Sequence, residues 1–155
     1  MIELKIGDIA PTFELLNQDG IKISLKDFIG KKVILYFYPK DNTPGCTIEA
    51  CDFSGDYEKF SEKNAVIIGV SPDSVKSHTN FIQKYNLKHI LLSDSEKEVS
   101  KMYGAWGLKK NYGKEYEGII RSTFVIDEKG KIIKIYKNVK AKNHAQKVFE
   151  ELCLC

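Results

Sequence analysis

The sequence predicts an α/β fold, a central mixed β-sheet with helices on both faces, and three observations predict it. The continuous apolar runs Val33-Ile34-Leu35-Tyr36-Phe37-Tyr38 and Val66-Ile67-Ile68-Gly69-Val70 have the β-branched and aromatic content of strands buried on both faces. Each is followed by a segment with apolar residues at helical spacing, and strand-helix-strand-helix order implies parallel pairing through crossovers. Near the end, 119–126 and 131–136 flank Asp127-Glu128-Lys129-Gly130 as an antiparallel hairpin. At 155 residues the chain is long enough for one domain with a real core, so a single unit over 1–155 is expected.

In chain order, Thr12–Leu15 and Ile21–Ser24 flank Asn17-Gln18-Asp19-Gly20 and predict an N-terminal β-hairpin. Residues 24–28 form one helical turn stopped at Gly30, before the strand over 33–38. Pro39 ends that strand. From about Thr47 to Lys63, Ala50, Phe53, Tyr57 and Phe60 recur at spacings of three and four, predicting one helix closed by Asn64. The strand over 66–70 leads through Ser71-Pro72-Asp73-Ser74 into a helix to about Tyr85, with Val75, Phe81, Ile82 and Tyr85 facing inward. Ile90–Ser93 reads as a short strand, Glu96–Tyr103 as a short helix, and Gly104–Gly118 as a Lys/Tyr/Gly-rich loop holding the only tryptophan, Trp106. A loop of that length inside a compact domain is often functional. A closing helix over about 142–154 buries Ala145, Val148, Phe149 and Leu152. No internal repeat or low-complexity tract interrupts this order.

Composition excludes several roles. Hydrophobic residues make up 43% and charged residues 29%, ordinary for a soluble fold, and no apolar run approaches the roughly 18 residues of a membrane span. The amino terminus lacks an apolar segment before a small-residue cleavage site, so a cytoplasmic protein is expected. The net charge of +3 comes from scattered lysines rather than a basic block, which argues against nucleic-acid binding. Four cysteines, at 46, 51, 153 and 155, read in a reducing compartment as catalytic, metal-binding or inert thiols.

The chemistry gathers where the strand over 33–38 runs into a Pro/Asp/Asn loop and then a helix. Thr43 as N-cap, Pro44 at N1 and Gly45 at N2 place Cys46 at N3. Backbone N–H groups there lack intrahelical partners and the helix dipole favours negative charge. A thiolate at Cys46 is therefore stabilised, and its pKa is expected below the free value of about 8.5. The cap threonine puts a hydroxyl in reach of whatever the sulfur attacks. The loop leaves the carboxyl end of a central strand, where ligands gather in such sheets.

Arg121 is the second singular residue. Of the 24 basic residues, it alone is an arginine, set on an apolar strand, and a guanidinium differs from lysine in its planar fork and permanent charge. It reads either as an incidental or structural arginine or as a fixed cation beside the thiolate. Glu49, three residues after Cys46, is the natural carboxylate to orient it. The negative charge of Glu49 would by itself raise the thiol's pKa, so it fits the site only if Arg121 neutralises it.

Cys51 follows Cys46 by five positions. On an intact helix their Cα atoms stand roughly 8.7 Å apart and turned about 140° from each other, beyond the about 7 Å a disulfide allows. Bonding the pair requires the first turns to unwind; the alternative is a second packed thiol. Cys153 and Cys155 are exposed thiols at a helix end or auxiliary redox thiols. His78, His89 and His144 are spread singly and read as solvated, with no Ser-His-Asp or metal constellation. Trp106, Tyr38 and Phe37 read as core or pocket wall.

With these residues in place, the chain resembles the peroxiredoxins, and within them the bacterioferritin-comigratory-protein or Q-type group. The likeness is most specific at Pro39-x3-Thr43-x2-Cys46, Thr47-x-Glu49 and Cys51, and again at Gly118-Ile119-Ile120-Arg121-Ser122-Thr123-Phe124. The resemblance implies a thioredoxin-like three-layer sandwich that reduces hydrogen peroxide and organic hydroperoxides with thiols and without metal, haem or flavin. It implies Cys46 as the peroxidatic cysteine, Thr43 and Arg121 as the residues that hold the peroxide oxygens, and Pro39 and Pro44 as pocket-shaping residues. Cys51 matches the resolving cysteine, to be recycled by a dithiol protein of the thioredoxin type, and a monomer is expected. A peroxide sensor, or a general disulfide oxidoreductase on the same fold, would use the same thiols.

Overall fold

The computed structural model describes residues 3–153. An N-terminal hairpin of β1 (Glu14–Asn17) and β2 (Lys22–Ser24) leads through a 3-10 turn, Leu25–Phe28, into β3 (Lys32–Phe37) and the helices α1 (Pro44–Gly55) and α2 (Tyr57–Glu62). Next come β4 (Ala65–Ser71), α3 (Val75–Tyr85), β5 (Ile90–Ser93) and α4 (Glu98–Met102). The chain continues with β6 (Trp106–Asn111), β7 (Lys114–Ile119), β8 (Ser122–Ile126), β9 (Ile132–Tyr136) and α5 (His144–Leu152).

Seven strands form one sheet in the order β2-β1-β5-β4-β3-β8-β9. The centre, β5-β4-β3, is parallel, and antiparallel pairs flank it: the N-terminal hairpin on β5, and β8 with β9 on β3. The expected mixed sheet with a parallel middle is thus present. Alternate residues of β3 serve two cores. On one face Ile34, Tyr36 and Tyr38 pack with Ala50, Phe53, Phe60, Phe81 and Val148 from α1, α2, α3 and α5. On the other, Val33, Leu35 and Phe37 pack with Val99 and Tyr103 around α4, and with Phe13 and Leu25. Phe53 is fully buried and stacks on Tyr36 with centroids 4.7 Å apart; truncating such a side chain to alanine costs about 3–5 kcal/mol.

One register places the functional site. Phe37, the last residue of β3, pairs with Ser122, the first of β8, because the two strands run antiparallel. Arg121, just before Ser122, therefore arrives beside the carboxyl end of β3, where the chain turns toward Cys46.

Several elements depart from the sequence reading. The first strand of the N-terminal hairpin sits two residues further on and the second begins one residue later: Asn17 ends β1 and its side chain accepts from the N–H groups of Asp19 and Ile21, while Gly20 takes φ 73°. The helix expected over 47–63 breaks at Asp56 into α1 and α2, with Asp56 at φ −96°, ψ 7°. The expected loop 104–118 is an antiparallel ribbon, β6 paired with β7, turned at Tyr112 and Gly113, both at positive φ. Its strands are largely exposed and carry Lys and Glu, so no alternation of apolar residues marked them. The strand expected over 119–126 is interrupted at Ile120-Arg121, whose backbone groups bond outside the sheet: Ile120 N–H to the Ala105 carbonyl, and the Arg121 carbonyl from Val139 N–H. α4 begins at Glu98, because Lys97 is left-handed at φ 63°, and α5 begins at His144 for the same reason at Asn143. Its expected end at residue 154 lies outside the described residues.

Candidate active site

Thr43 occupies the N-cap position of α1 with extended backbone (φ −95°, ψ 156°), and Pro44 is exposed at the first helical position. The Thr43 hydroxyl makes no capping bond; it donates to the Lys40 carbonyl at 2.8 Å. The hydroxyl proton is thus spent on the backbone and its lone pairs remain free to accept. This also leaves the first-turn N–H groups without a side-chain cap, which preserves the electropositive end of the helix beside Cys46.

Arg121 joins the two residues the sequence singled out near it. Nη1 donates to Glu49 Oε1 at 2.6 Å, and Nη2 donates to Cys46 Sγ at 3.2 Å. Cys46 is 1% exposed and Glu49 fully buried. Burial alone disfavours charge on Arg121, but Glu49 and then Cys46 more than offset it and raise its pKa. Burial pushes the Glu49 carboxyl up to about 7, against the pull of Arg121. Its second oxygen, Oε2, has no hydrogen-bond partner. The carboxylate therefore depends on a single contact, and that contact orients the fork whose other arm reaches the sulfur. Gly45 completes the group through space rather than backbone freedom: a Cβ there would lie 3.2 Å from Arg121 Nη2.

The sequence reading missed what holds the loop before Thr43. Asp41, 6% exposed, accepts from the Tyr38 hydroxyl at 2.5 Å, the Ser77 hydroxyl at 2.7 Å and His78 Nδ1 at 2.6 Å. Its own N–H donates to Asp73 Oδ2 at 2.6 Å. His78 Nε2 faces the Leu92 carbonyl at 2.9 Å, so both ring nitrogens point at acceptors. Asn42, left-handed at φ 60°, accepts from the Tyr85 hydroxyl at 2.8 Å. α3 thereby grips residues 41 and 42 and sets where α1 begins. The sequence carried one signal for this: His78 falls on the inward face of α3, between Val75 and Ile82.

The three histidines are therefore buried, contrary to the reading of them as solvated. His89 bonds the Tyr36 hydroxyl through Nε2 at 2.7 Å, and His144 Nε2 meets Thr123 Oγ1 at 2.8 Å. Burial pushes His89 down to about 3 and, with Lys147 and Arg121 adding to it, His144 to about 4.

Cys51 is half-buried and unbonded in α1; burial and then Asp52 push its thiol up. Cys153 is an exposed thiol capping α5, and Cys155 lies outside the described residues. Among the described residues no three His, Cys, Asp or Glu side chains gather into a metal-holding group, and no helix is long and apolar enough to cross a membrane.

A cavity of about 430 Å³ opens beside Arg121, lined by Pro39, Leu108, Lys109, Ile120 and Val139 among others. Pro39 stands at its wall. Lys109, hidden in what read as a loop, is a second cation there: burial and then Arg121 lower its pKa, while Cys46 opposes them.

A family model described as the AhpC/TSA family matches residues 6–135. A Helicobacter pylori protein provisionally named peroxiredoxin bcp is 57% identical over 152 residues, covering 98% of this chain and 100% of the relative. The crystal structure of a cysteine-to-serine mutant of Xylella fastidiosa PrxQ superposes with a TM-score of 0.93 at 34% identity, covering 99% of this chain and 98% of that one. A structure of Xanthomonas campestris bacterioferritin comigratory protein, studied for its alkyl peroxide reduction activity, gives 0.87 at 37% identity over 92% and 90%.

Proposed function

The chain belongs to the AhpC/TSA family as a peroxiredoxin of the bacterioferritin-comigratory or Q type, a thiol peroxidase, and we propose that its working sulfur is Cys46. In this reading the Cys46 thiolate attacks one oxygen of hydrogen peroxide or an organic hydroperoxide. The O–O bond breaks, the distal oxygen takes a proton and leaves as water or alcohol, and Cys46 becomes a sulfenic acid. The Cys51 thiol then displaces water from that sulfenic acid to form the Cys46–Cys51 disulfide. A thioredoxin-type dithiol returns two electrons and two protons.

The observation that carries this reading is the Arg121 fork, bonded to Cys46 Sγ with one arm and to Glu49 with the other. As charge moves from sulfur to the leaving oxygen, a cation fixed between them stabilises the transition state without reorganising. Thr43, with its proton engaged by the Lys40 carbonyl, accepts the hydroperoxide O–H and aims the proximal oxygen at sulfur. Pro39 and Pro44 bound the approach.

Cys51 acts later. With α1 intact its thiol is raised by burial and lies on a different side of the helix from Cys46. The first turns open to bring the sulfurs together, and they open from Thr43 onward, because residues 41 and 42 are held by α3. A disulfide oxidoreductase acting on proteins has no need of a guanidinium on the sulfur or of a threonine acceptor beside it.

The test is peroxide-dependent turnover with a thioredoxin system, followed by mass spectrometry of the peroxide-treated protein. A Cys46–Cys51 linkage with consumption of peroxide is expected. Linkage of Cys46 to Cys153 or Cys155 would overturn the resolving role of Cys51, and oxidation without turnover would point to a sensor.

A further inference from the structure

The segment between β9 and α5 touches the surroundings of both cysteines. Val139 N–H bonds the carbonyl of Arg121, whose side chain reaches Cys46. Four residues on, the Asn143 backbone N–H acts on the carboxyl of Asp52, the neighbour of Cys51, and partly offsets the burial that raises it. A second cavity of about 560 Å³ lies along this segment, lined by Lys137, Lys140, Lys142 and Lys147, and it shares Asn138 and Val139 with the cavity beside Arg121. Among the described residues, no Asp or Glu lines either cavity. Three carboxylates act on residues of this lining: Glu151 accepts from the Tyr136 hydroxyl at 3.1 Å, Glu3 acts on Lys137, and Asp52 is turned toward Asn143.

This is an uneven distribution in a chain whose 24 basic and 21 acidic residues nearly cancel. A one-sign field over a concave surface raises the encounter rate of an oppositely charged partner by about 10–1000-fold at low salt. The partner also needs access to the Cys46–Cys51 bond, and this segment meets Arg121, which reaches Cys46, and Asp52, the neighbour of Cys51.

We infer that residues 137–143 and Lys147 form the docking surface for a dithiol reductant protein whose own active-site face is acidic. The inference rests on the proposed Cys46–Cys51 disulfide. On docking, a thiolate of the partner attacks that disulfide to give a mixed disulfide. The partner's second thiol then displaces it, leaving the partner oxidised and both cysteines as thiols after uptake of two protons.

The experiment measures reduction of the peroxide-oxidised protein by a reduced acidic thioredoxin, by the same thioredoxin with lysines in place of the carboxylates around its active site, and by dithiothreitol. The parent is compared with the triple variant Lys140→Glu, Lys142→Glu, Lys147→Glu. With acidic thioredoxin, the parent's second-order rate constant is expected to fall about tenfold from low salt to roughly 0.5 M, and the triple variant to lose about tenfold or more at low salt. The lysine-bearing thioredoxin should reverse that order, and dithiothreitol should not distinguish the two proteins. Equal reduction of parent and variant by acidic thioredoxin would overturn the docking surface while leaving the peroxidase reading intact. A parent that dithiothreitol reduces and thioredoxin does not would overturn the reductant assignment and the docking surface together.

Discussion

Arg121 Nη2 lies 3.2 Å from Cys46 Sγ although the two residues are 75 positions apart. Their meeting follows from the antiparallel pairing of Phe37 with Ser122, which delivers the residue before β8 to the residue after β3. The same guanidinium is tied to Glu49, so the cation at the sulfur is held in place before any substrate arrives.

Arg121→Lys is therefore expected to lower kcat/KM for hydrogen peroxide by about 100-fold or more, roughly 3 kcal/mol of transition-state stabilisation, with the far-UV spectrum unchanged. Lysine is a point charge and cannot serve Glu49 and Cys46 at once. Stopped-flow measurement of Cys46 oxidation checks this, and near-parental rates would remove Arg121 from the mechanism.

Glu49 carries a pH dependence. Its carboxyl, pushed up to about 7 by burial, takes a proton as pH falls through neutrality and weakens its hold on Arg121. The peroxide rate constant of the parent should fall below about pH 7, and Glu49→Gln should lose that limb while running about tenfold slower at pH 8. A pH profile of the oxidation step in both proteins is the measurement.

Gly45→Ala separates stability from activity. The new methyl group meets Arg121 Nη2 at 3.2 Å, and Arg121, fixed at both arms, has to move by a few tenths of an ångström. Activity is expected to fall roughly threefold to tenfold, as small misplacements at reacting centres do. Removing a helical glycine should raise stability by up to about 1 kcal/mol.

Cys51→Ser is expected to complete one peroxide reduction and stall with sulfenic acid at Cys46, trapped by a dimedone-type reagent. Sustained thioredoxin-driven turnover in that variant would instead place resolution at Cys153 or Cys155.

The buried histidines predict loss of stability in acid. His89 and His144 are pushed down to about 3 and about 4, below their unfolded value of about 6.5. The unfolded chain takes up these protons first as pH drops. The stabilisation is therefore complete above about pH 6.5 and is lost as pH falls through the folded values, each histidine contributing on the order of 3–5 kcal/mol. Urea titrations from pH 7 to pH 4 should show falling midpoints, with a shallower fall in His89→Gln.

The strands that were legible were those buried on both faces. β3 and β4 are continuous apolar runs because helices or loops cover each side, and β8, buried along its whole length, shares the pattern in Thr123-Phe124-Val125-Ile126. The ribbon of β6 and β7 was not legible, because an exposed ladder satisfies its backbone without an apolar face and Tyr112-Gly113 is not a common turn dipeptide. His78 and Asp41 were missed for a related reason. Each read as an isolated polar residue, and only pairing across 37 positions makes their burial affordable.

The sequence by itself determined the local chemistry at Cys46: a Thr-Pro-Gly start fixes a thiol in the first turn of a helix, since the extended backbone of Thr43 and the helical φ of Pro44 act over four residues. The odd guanidinium and the carboxylate three residues after the thiol could also be picked out from residue type and spacing. Tertiary structure decided how they meet. The register of β3 against β8 puts Arg121 on the sulfur, the grip of α3 on Asp41 sets where α1 starts, and the Lys40 carbonyl turns Thr43 into an acceptor. These are contacts between residues whose separation along the chain carries no periodic signal, so only the folded sheet and its covering helices specify them.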